Sequence, residues 1–215
     1  MVLFKSARKA IVVMEDLKDH WEKVYKTKDI DNVSWFQKEP TKSLEIIQSV
    51  HPNGDAHIID IGSGASLLID QLLENGYEKI TALDISKAAL NKIRERVGDS
   101  SINWVVANII NWCPSGSYDI WHDRAVFHFQ TEAISRKKYI FCLNECLKKG
   151  GSAIIATFAL DGPETCSGLP VMRYSAESLS KELGPNFKLV SSNDELHITP
   201  WKSSQKFQYS RFIRV

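Results

Sequence analysis

No run of apolar residues in this sequence is long enough to cross a bilayer. Internal repeats and low-complexity linkers are also missing, and 215 residues suit one substantial domain that needs no covalent staples. Neither sign of charge dominates. The 27 Lys and Arg against 26 Asp and Glu leave a formal net charge of +1, which argues against an extended nucleic-acid surface or a polybasic membrane patch. Cysteine is scarce: Cys113, Cys142, Cys146 and Cys166 form no C-x-x-C pair. Cys142 and Cys146 stand four apart in an expected helix, a spacing that could share a metal. No second close pair of Cys or His completes a tetrahedral site, so buried reduced thiols, no metal site and a reducing compartment are expected. The opening "MVLFKSARKAIVVM" carries Lys5, Arg8 and Lys9 with no acid before Glu15. An organelle presequence over residues 1–14 would look similar, but its apolar part is short and it lacks a clear cleavage site, so the expected location is cytoplasmic.

What is present begins with "IIDIGSGASLLIDQLLENGY", Ile58 to Tyr77. The β-branched run Ile58-Ile59-Asp60-Ile61 reads as a buried strand interrupted by an acid. Leu67, Leu68, Leu72 and Leu73 then recur at helical spacing, so a strand feeds a helix through Gly62-Ser63-Gly64. Glycines there allow a sharp bend and close approach of a ligand to the main chain, and the helix start offers N–H groups. Two N-terminal helices (15–26 and 41–51) precede an alternation. The expected order is strand 57–61, helix 66–75, strand 79–84, helix 87–97, strands 102–107 and 118–122, helix 132–147, strand 152–158, helix 175–183, and strands 187–193 and 205–213. Ser86 suits a helix cap, Gly98 a helix end, and "KKGG" (148–151) a stop before "SAIIATF". Alternation implies right-handed βαβ crossovers and a mainly parallel sheet. The last two strands, joined by a polar loop with Pro200 and Trp201, imply an antiparallel hairpin.

This layout, with "DIGSG" and "LDIS", resembles the class I S-adenosylmethionine-dependent methyltransferases over about residues 55 to 215. The resemblance implies an α/β fold: a Rossmann-like, doubly wound, mainly parallel seven-stranded sheet ending in an antiparallel hairpin, with helices on both faces. Residues 1–54 would form a helical cap or lid, and 55–215 the donor-binding domain, within one compact domain. The donor implied is S-adenosylmethionine, with S-adenosylhomocysteine as product and no metal. In that family an acid precedes G-x-G-x-G; here Asp60, Gly62, Ser63 and Gly64 stand at the motif, and Ser66 replaces the third glycine. A dinucleotide site asks for a small residue where Leu67 stands, and a carboxylate at Asp60 would repel a pyrophosphate, so a nicotinamide oxidoreductase is disfavoured. Asp84 is placed to accept from ribose hydroxyls, with capping of the next helix as its alternative. Ile85 is expected on the adenine face. The resemblance assigns Asn108 and Ile109 to the adenine edge, although an Asn in a turn is equally consistent.

"YDIWHDRAVFHF", 118–129, is the densest functional segment, since it crowds the carboxyl end of a strand, where ligands of open α/β sheets bind. In the resembled family it lines the methionine end of the donor and the acceptor. His122, Asp123 and His128 are each candidates for a general base, needed only if the acceptor arrives protonated. Strand alternation sends His122 and Asp123 to opposite faces. An Asp123–Arg124 contact or a helix cap, with a core His128, is the structural alternative. The segment lacks the N/D-P-P-Y/F/W motif of the DNA and amide-nitrogen branch and the acid cluster of the magnesium-dependent catechol branch. Trp35 is a candidate lid residue or simple packing. Arg124 and Arg173 are candidate acceptor-binding residues, with a salt-bridged arginine as the alternative for Arg173. The "W…Y…WF" pattern and Asp123-Arg124 resemble the protein-lysine methyltransferase branch, whereas "HDRAVFHF" and "ATFALDGPE" look like uncharacterised bacterial small methyltransferases. The expected function is methyl transfer to nitrogen or oxygen of an unidentified acceptor, a small molecule being favoured over a protein lysine. A non-catalytic donor-binding regulatory module is the further alternative, and no nucleic-acid or membrane partner is expected.

Overall fold

A computed structural model describes residues 17–98, 101–112 and 117–215. Residues 1–14, the segment that resembles a presequence, and Cys113 lie outside the described residues.

The chain opens with helix α1 over residues 17–27 and helix α2, Thr41–Val50. Then follow β1 (Ile58–Ile61), α3 (Leu68–Glu74), β2 (Ile80–Asp84), α4 (Lys87–Val97), β3 (Asn103–Val106), β4 (Tyr118–Arg124), α5 (Ala133–Cys146), β5 (Leu147–Phe158), the two-residue strands β6 (Thr165–Cys166) and β7 (Leu169–Pro170), α6 (Ala176–Leu183), β8 (Phe187–Ile198) and β9 (Ser204–Arg214). Local chemistry sets several ends. The Ser86 hydroxyl accepts from Ala89 N to start α4, and Gly98, at φ +75°, closes it. Ser175 and Ser178 form a reciprocal cap at the start of α6.

Seven strands form one sheet in the order β3-β2-β1-β4-β5-β9-β8. The first five are parallel; β9 runs antiparallel between β5 and β8. Alternation along the strands divides the apolar side chains into two cores. Ile58, Ile80, Ile120 and Ile154 join Ile47, Ile69, Leu72 and Ile93, so α2, α3 and α4 cover one face. Ile59, Leu83, Trp121 and Ile155 join Tyr139, Leu143 and Leu179, so α5 and α6 cover the other. At about 25 cal/mol per Å², each large side chain buried in either core contributes on the order of 2 kcal/mol.

Two segments depart from the sequence expectation. Lys148–Gly151 is no stop between helix and strand, because β5 already begins at Leu147. A register shift opposite Tyr118–Ile120 absorbs the glycine pair as a bulge. The stretch 161–174, lying between the expected strand 152–158 and helix 175–183, contains the β6–β7 hairpin, turned by Ser167 and Gly168 at φ +52° and +77°. No helix of the described residues is long and apolar enough to cross a membrane.

Candidate active site

Register places Asp60 of β1 directly beside His122 of β4. Both are buried and turn to the same face. His122 Nδ1 lies 2.6 Å from Asp60 Oδ1, and its Nε2 lies 2.9 Å from the Ser43 hydroxyl in the first turn of α2. Asp123 faces the other core. Its carboxylate is fully buried and accepts from the Tyr139 hydroxyl at 2.5 Å and from Val126 N and Phe127 N at 2.9 and 3.0 Å. Burial pushes Asp123 up to about 6, against the pull of these hydrogen bonds. The same bonds pin the turn after β4, where Ala125 adopts φ +71°, a conformation that residues with a Cβ rarely take.

The glycine turn makes space. Gly62 and Gly64 have φ of +67° and +57°; a Cβ would stand 2.1 Å from Val126 Cγ2 at the first and 2.5 Å from the Tyr25 hydroxyl at the second. Much of its N–H capacity is spent inside the protein, which revises the expectation of open N–H groups at the helix start. Gly62 N and Ser63 N donate to Leu83 O at 2.7 and 3.0 Å, Ser66 N to Ser63 O, and Leu68 N to the Ser66 hydroxyl. Gly64 N donates to Asp84 Oδ2 at 2.8 Å, while Asp84 Oδ1 accepts from Ser86 N at 2.8 Å. A carboxylate, not an incoming phosphate, therefore occupies the donor at Gly64. Burial raises Asp84 to about 6.

Three recesses meet at Trp35. The first is lined by Ser43, Asp60, Ser63, Gly64 and His122 beneath Tyr25. The second is lined by Gly62, Asp84, Ile85, Asn108, Ile109 and Val126 beneath Trp21. The third opens outward between α1, the β6–β7 turn and Trp201. Trp35 borders all three, and Arg124 borders the first two. An aromatic roof covers the junction: Trp21 meets Trp35 edge-on at 5.4 Å and Phe129 at 5.3 Å, and Tyr25 meets Trp35 at 6.3 Å. Helix α1 is fastened over it. The Glu22 carboxylate accepts from the Ser86 hydroxyl at 2.8 Å and Ala88 N at 3.1 Å, at the start of α4, and His20 Nε2 lies 3.1 Å from the Ser167 hydroxyl.

The remaining candidates lie as follows. Asn108 lines the second recess and also turns its side-chain oxygen to Ile110 N at 3.2 Å, so it both faces the cleft and shapes the loop. His128 is fully buried between Phe129 and Phe158, with neither ring nitrogen hydrogen-bonded; burial first, and the Arg124 charge second, lower it to about 3. Arg173 bonds Gly162 O at 3.1 Å and Glu164 at 2.9 Å within its own loop and lines none of the three recesses. Sequence reasoning missed Ser43, Glu22 and Cys166, the last of which lines the second recess. A lone serine in a helix and a glutamate on a charged one carry no signal. Cys142 and Cys146 lie with their sulfurs 3.8 Å apart within α5, and among the described residues no cluster of His, Cys, Asp or Glu is arranged to hold a metal.

A parallel sheet of this strand order, with a cleft at the carboxyl ends of β1, β2 and β4, an acid at the end of β2 and glycines opening the first turn, is the class I Rossmann-like S-adenosylmethionine-dependent methyltransferase fold. Residues 58–151 match the family model described as "Methyltransferase domain". The chain is 25% identical over 193 residues to malonyl-[acyl-carrier protein] O-methyltransferase 1 of Ilyobacter polytropus, covering 84% of this chain and 70% of that protein. It is 27% identical over 196 residues to EEF1A lysine methyltransferase 2 of Danio rerio, covering 80% and 76%. Among solved structures, the 1,6-didemethyltoxoflavin-N1-methyltransferase of Burkholderia thailandensis, with bound 1,6-didemethyltoxoflavin and S-adenosylhomocysteine, superposes with a TM-score of 0.71 at 17% identity over 97% of this chain and 90% of that one.

Proposed function

We propose that the protein methylates a nitrogen or oxygen of a small molecule, with residues 1–54 serving as a cap over a donor-binding unit of residues 55–215. When bound, S-adenosylmethionine supplies an electrophilic methyl group on a cationic sulfur. The residues fit that molecule: a buried acid faces an apolar recess at the end of β2, and at Gly62 any Cβ would collide with the opposite wall. Asp84 would take the ribose hydroxyls, Ile85 the adenine face, and Asn108 and Ile109 its edge. Asp60, held by His122, would take the ammonium group, while Gly62, Ser63 and Gly64 leave room for the donor chain. Trp21, Tyr25 and Trp35 would exclude water and favour a cation through their ring faces. Of the three base candidates His122 is the one that borders a recess, so it is proposed to act there. Asp123 is proposed to position the Ala125 turn. Trp35 and Arg124 are proposed to meet the acceptor, and the Arg173–Glu164 contact to hold the 161–174 loop. The formal charge of +1 supports an acceptor other than nucleic acid.

The observation that carries this reading is the Asp84 carboxylate, tied to Gly64 and facing the apolar recess. The test is calorimetry with S-adenosylhomocysteine and NAD. Binding of the first and not the second is expected; the reverse would overturn the reading. Radiolabelled methyl transfer into metabolite pools and cell extracts then separates small products from labelled proteins. A protein-lysine acceptor is the second reading, supported by the likeness to EEF1A lysine methyltransferase 2, and label confined to protein would favour it.

A further inference from the structure

Arg124 is a cleft cation to which the described residues bring no carboxylate within hydrogen-bonding distance. Its Nε donates to the Tyr209 hydroxyl at 3.0 Å and its Nη1 to Trp35 O at 3.1 Å, and the guanidinium lies over the Phe207 ring at 4.3 Å. The nearest acid, Glu195, stands 4.0 Å from Nη2, and its oxygens accept instead from Gln37 at 3.2 and 3.4 Å. Nη2 itself is buried and without a hydrogen-bond partner, on a residue that borders both inner recesses. Two neutral oxygens and a ring thus hold the guanidinium fixed. A buried donor left unpaired is costly, and a charged donor such as Nη2 pairs most strongly with an anionic oxygen.

A second observation points the same way. The outer recess is lined by His20, Lys23, Lys28 and Trp201, with no Asp or Glu among its lining residues, and it shares Trp35 with the inner two. Lys23 and Lys28 are exposed, so their charge acts on molecules approaching that mouth.

We propose that the methyl acceptor is a small carboxylate, drawn in past Lys23 and Lys28 and held at Arg124. The inference rests on the methyltransferase reading and concerns recognition of the carboxylate, whichever nitrogen or oxygen receives the methyl group. The test titrates protein saturated with S-adenosylhomocysteine with a panel of aromatic and aliphatic carboxylates and their primary amides, using calorimetry. At least one carboxylate is expected to bind about tenfold or more tightly than its amide, with affinity falling as salt rises. Arg124→Gln should abolish the preference while retaining S-adenosylhomocysteine binding. The double charge reversal Lys23→Glu with Lys28→Glu, on an exposed surface, should weaken carboxylate binding even if the Arg124 variant fails to fold. Equal affinity for carboxylates and amides across the panel, or a preference unchanged in either variant, overturns the proposal. So does a preference seen only without S-adenosylhomocysteine together with weakened S-adenosylhomocysteine binding in Arg124→Gln, since Arg124 would then serve the donor's own carboxylate. Failure of S-adenosylhomocysteine to bind the native protein strikes the methyltransferase reading itself, and this inference with it.

Discussion

Single atoms decide much of the cleft. A methyl group added at Gly62 would stand 2.1 Å from Val126 Cγ2, in a backbone conformation that already disfavours side chains. Gly62→Ala is therefore expected to cost on the order of 1–3 kcal/mol in stability and to weaken S-adenosylhomocysteine binding. Denaturant unfolding and calorimetry check the two effects, and Gly62→Ala with Val126→Ala should recover part of the loss. Asp84 sets a pH dependence. Its value is raised by burial to about 6, so the fold favours its neutral form. The stability this group contributes is complete below the ordinary carboxylate value and is lost as pH rises through about 6; Asp123, also raised to about 6, adds in the same sense. With Asp84 taking the ribose hydroxyls as proposed, donor binding runs the other way, because hydroxyls are best accepted by the ionised form. S-adenosylhomocysteine affinity should be about tenfold lower at roughly pH 5 than above pH 7, a dependence that Asp84→Asn flattens. An affinity independent of pH in the native protein would remove Asp84 from the donor site. Asp123→Ala, which leaves the Tyr139 hydroxyl and the Val126 and Phe127 amides without their acceptor, is expected to cost on the order of 3 kcal/mol by chemical denaturation.

At the scale of elements, the sequence was most legible where local rules and burial agree. The run Ile58–Ile61, the leucines after the glycine turn, Ser86 and Gly98 all report on neighbours a few residues away, and the corresponding elements form. The β6–β7 hairpin was harder to read, because its Ser-Gly turn lies among prolines and glycines that read equally well as loop. The β5 entry was misread because a glycine pair in a bulge looks like a helix stop. The lining of the candidate cleft was legible where a motif lies at one strand end, as in Asp60 to Gly64. It was opaque where partners come from far along the chain, as Ser43 to His122 and Glu22 to Ser86 do. That last contact fixes α1 over the cleft. Glu22→Ala should cost about 1 kcal/mol, as loss of a helix cap does, and should speed amide exchange across 17–27. Trp35 is only half-buried but borders all three recesses described above. Trp35→Ala is therefore expected to lower turnover per folded molecule more than tenfold while costing less than the roughly 3–5 kcal/mol of a fully buried aromatic. Full specific activity in a destabilised variant would make Trp35 packing and nothing more.

Over the whole molecule, stability and ligand binding are coupled through a cleft built on three strand ends and closed by α1. S-adenosylhomocysteine at about 100 times its Kd should add roughly 2.7 kcal/mol, raising the melting temperature by roughly 5–10 °C for a chain of this size. No shift at saturating ligand would mean that the cleft does not close on the donor. The sheet also separates the indole groups. Trp21 and Trp35 stand in the roof of the cleft, whereas Trp121 is buried in the opposite core with its indole N–H bonded to the Tyr139 hydroxyl at 2.8 Å. Light emission from these three of the six tryptophans consequently carries two independent messages. Trp121 stays dark to ligands and changes when the far core comes apart, while the roof pair is quenched or shifted by whatever enters beneath it. A variant keeping Trp121 as its only tryptophan would give an optical record of unfolding alone, and one keeping only Trp21 and Trp35, with the other four of the six replaced, would isolate occupancy of the cleft.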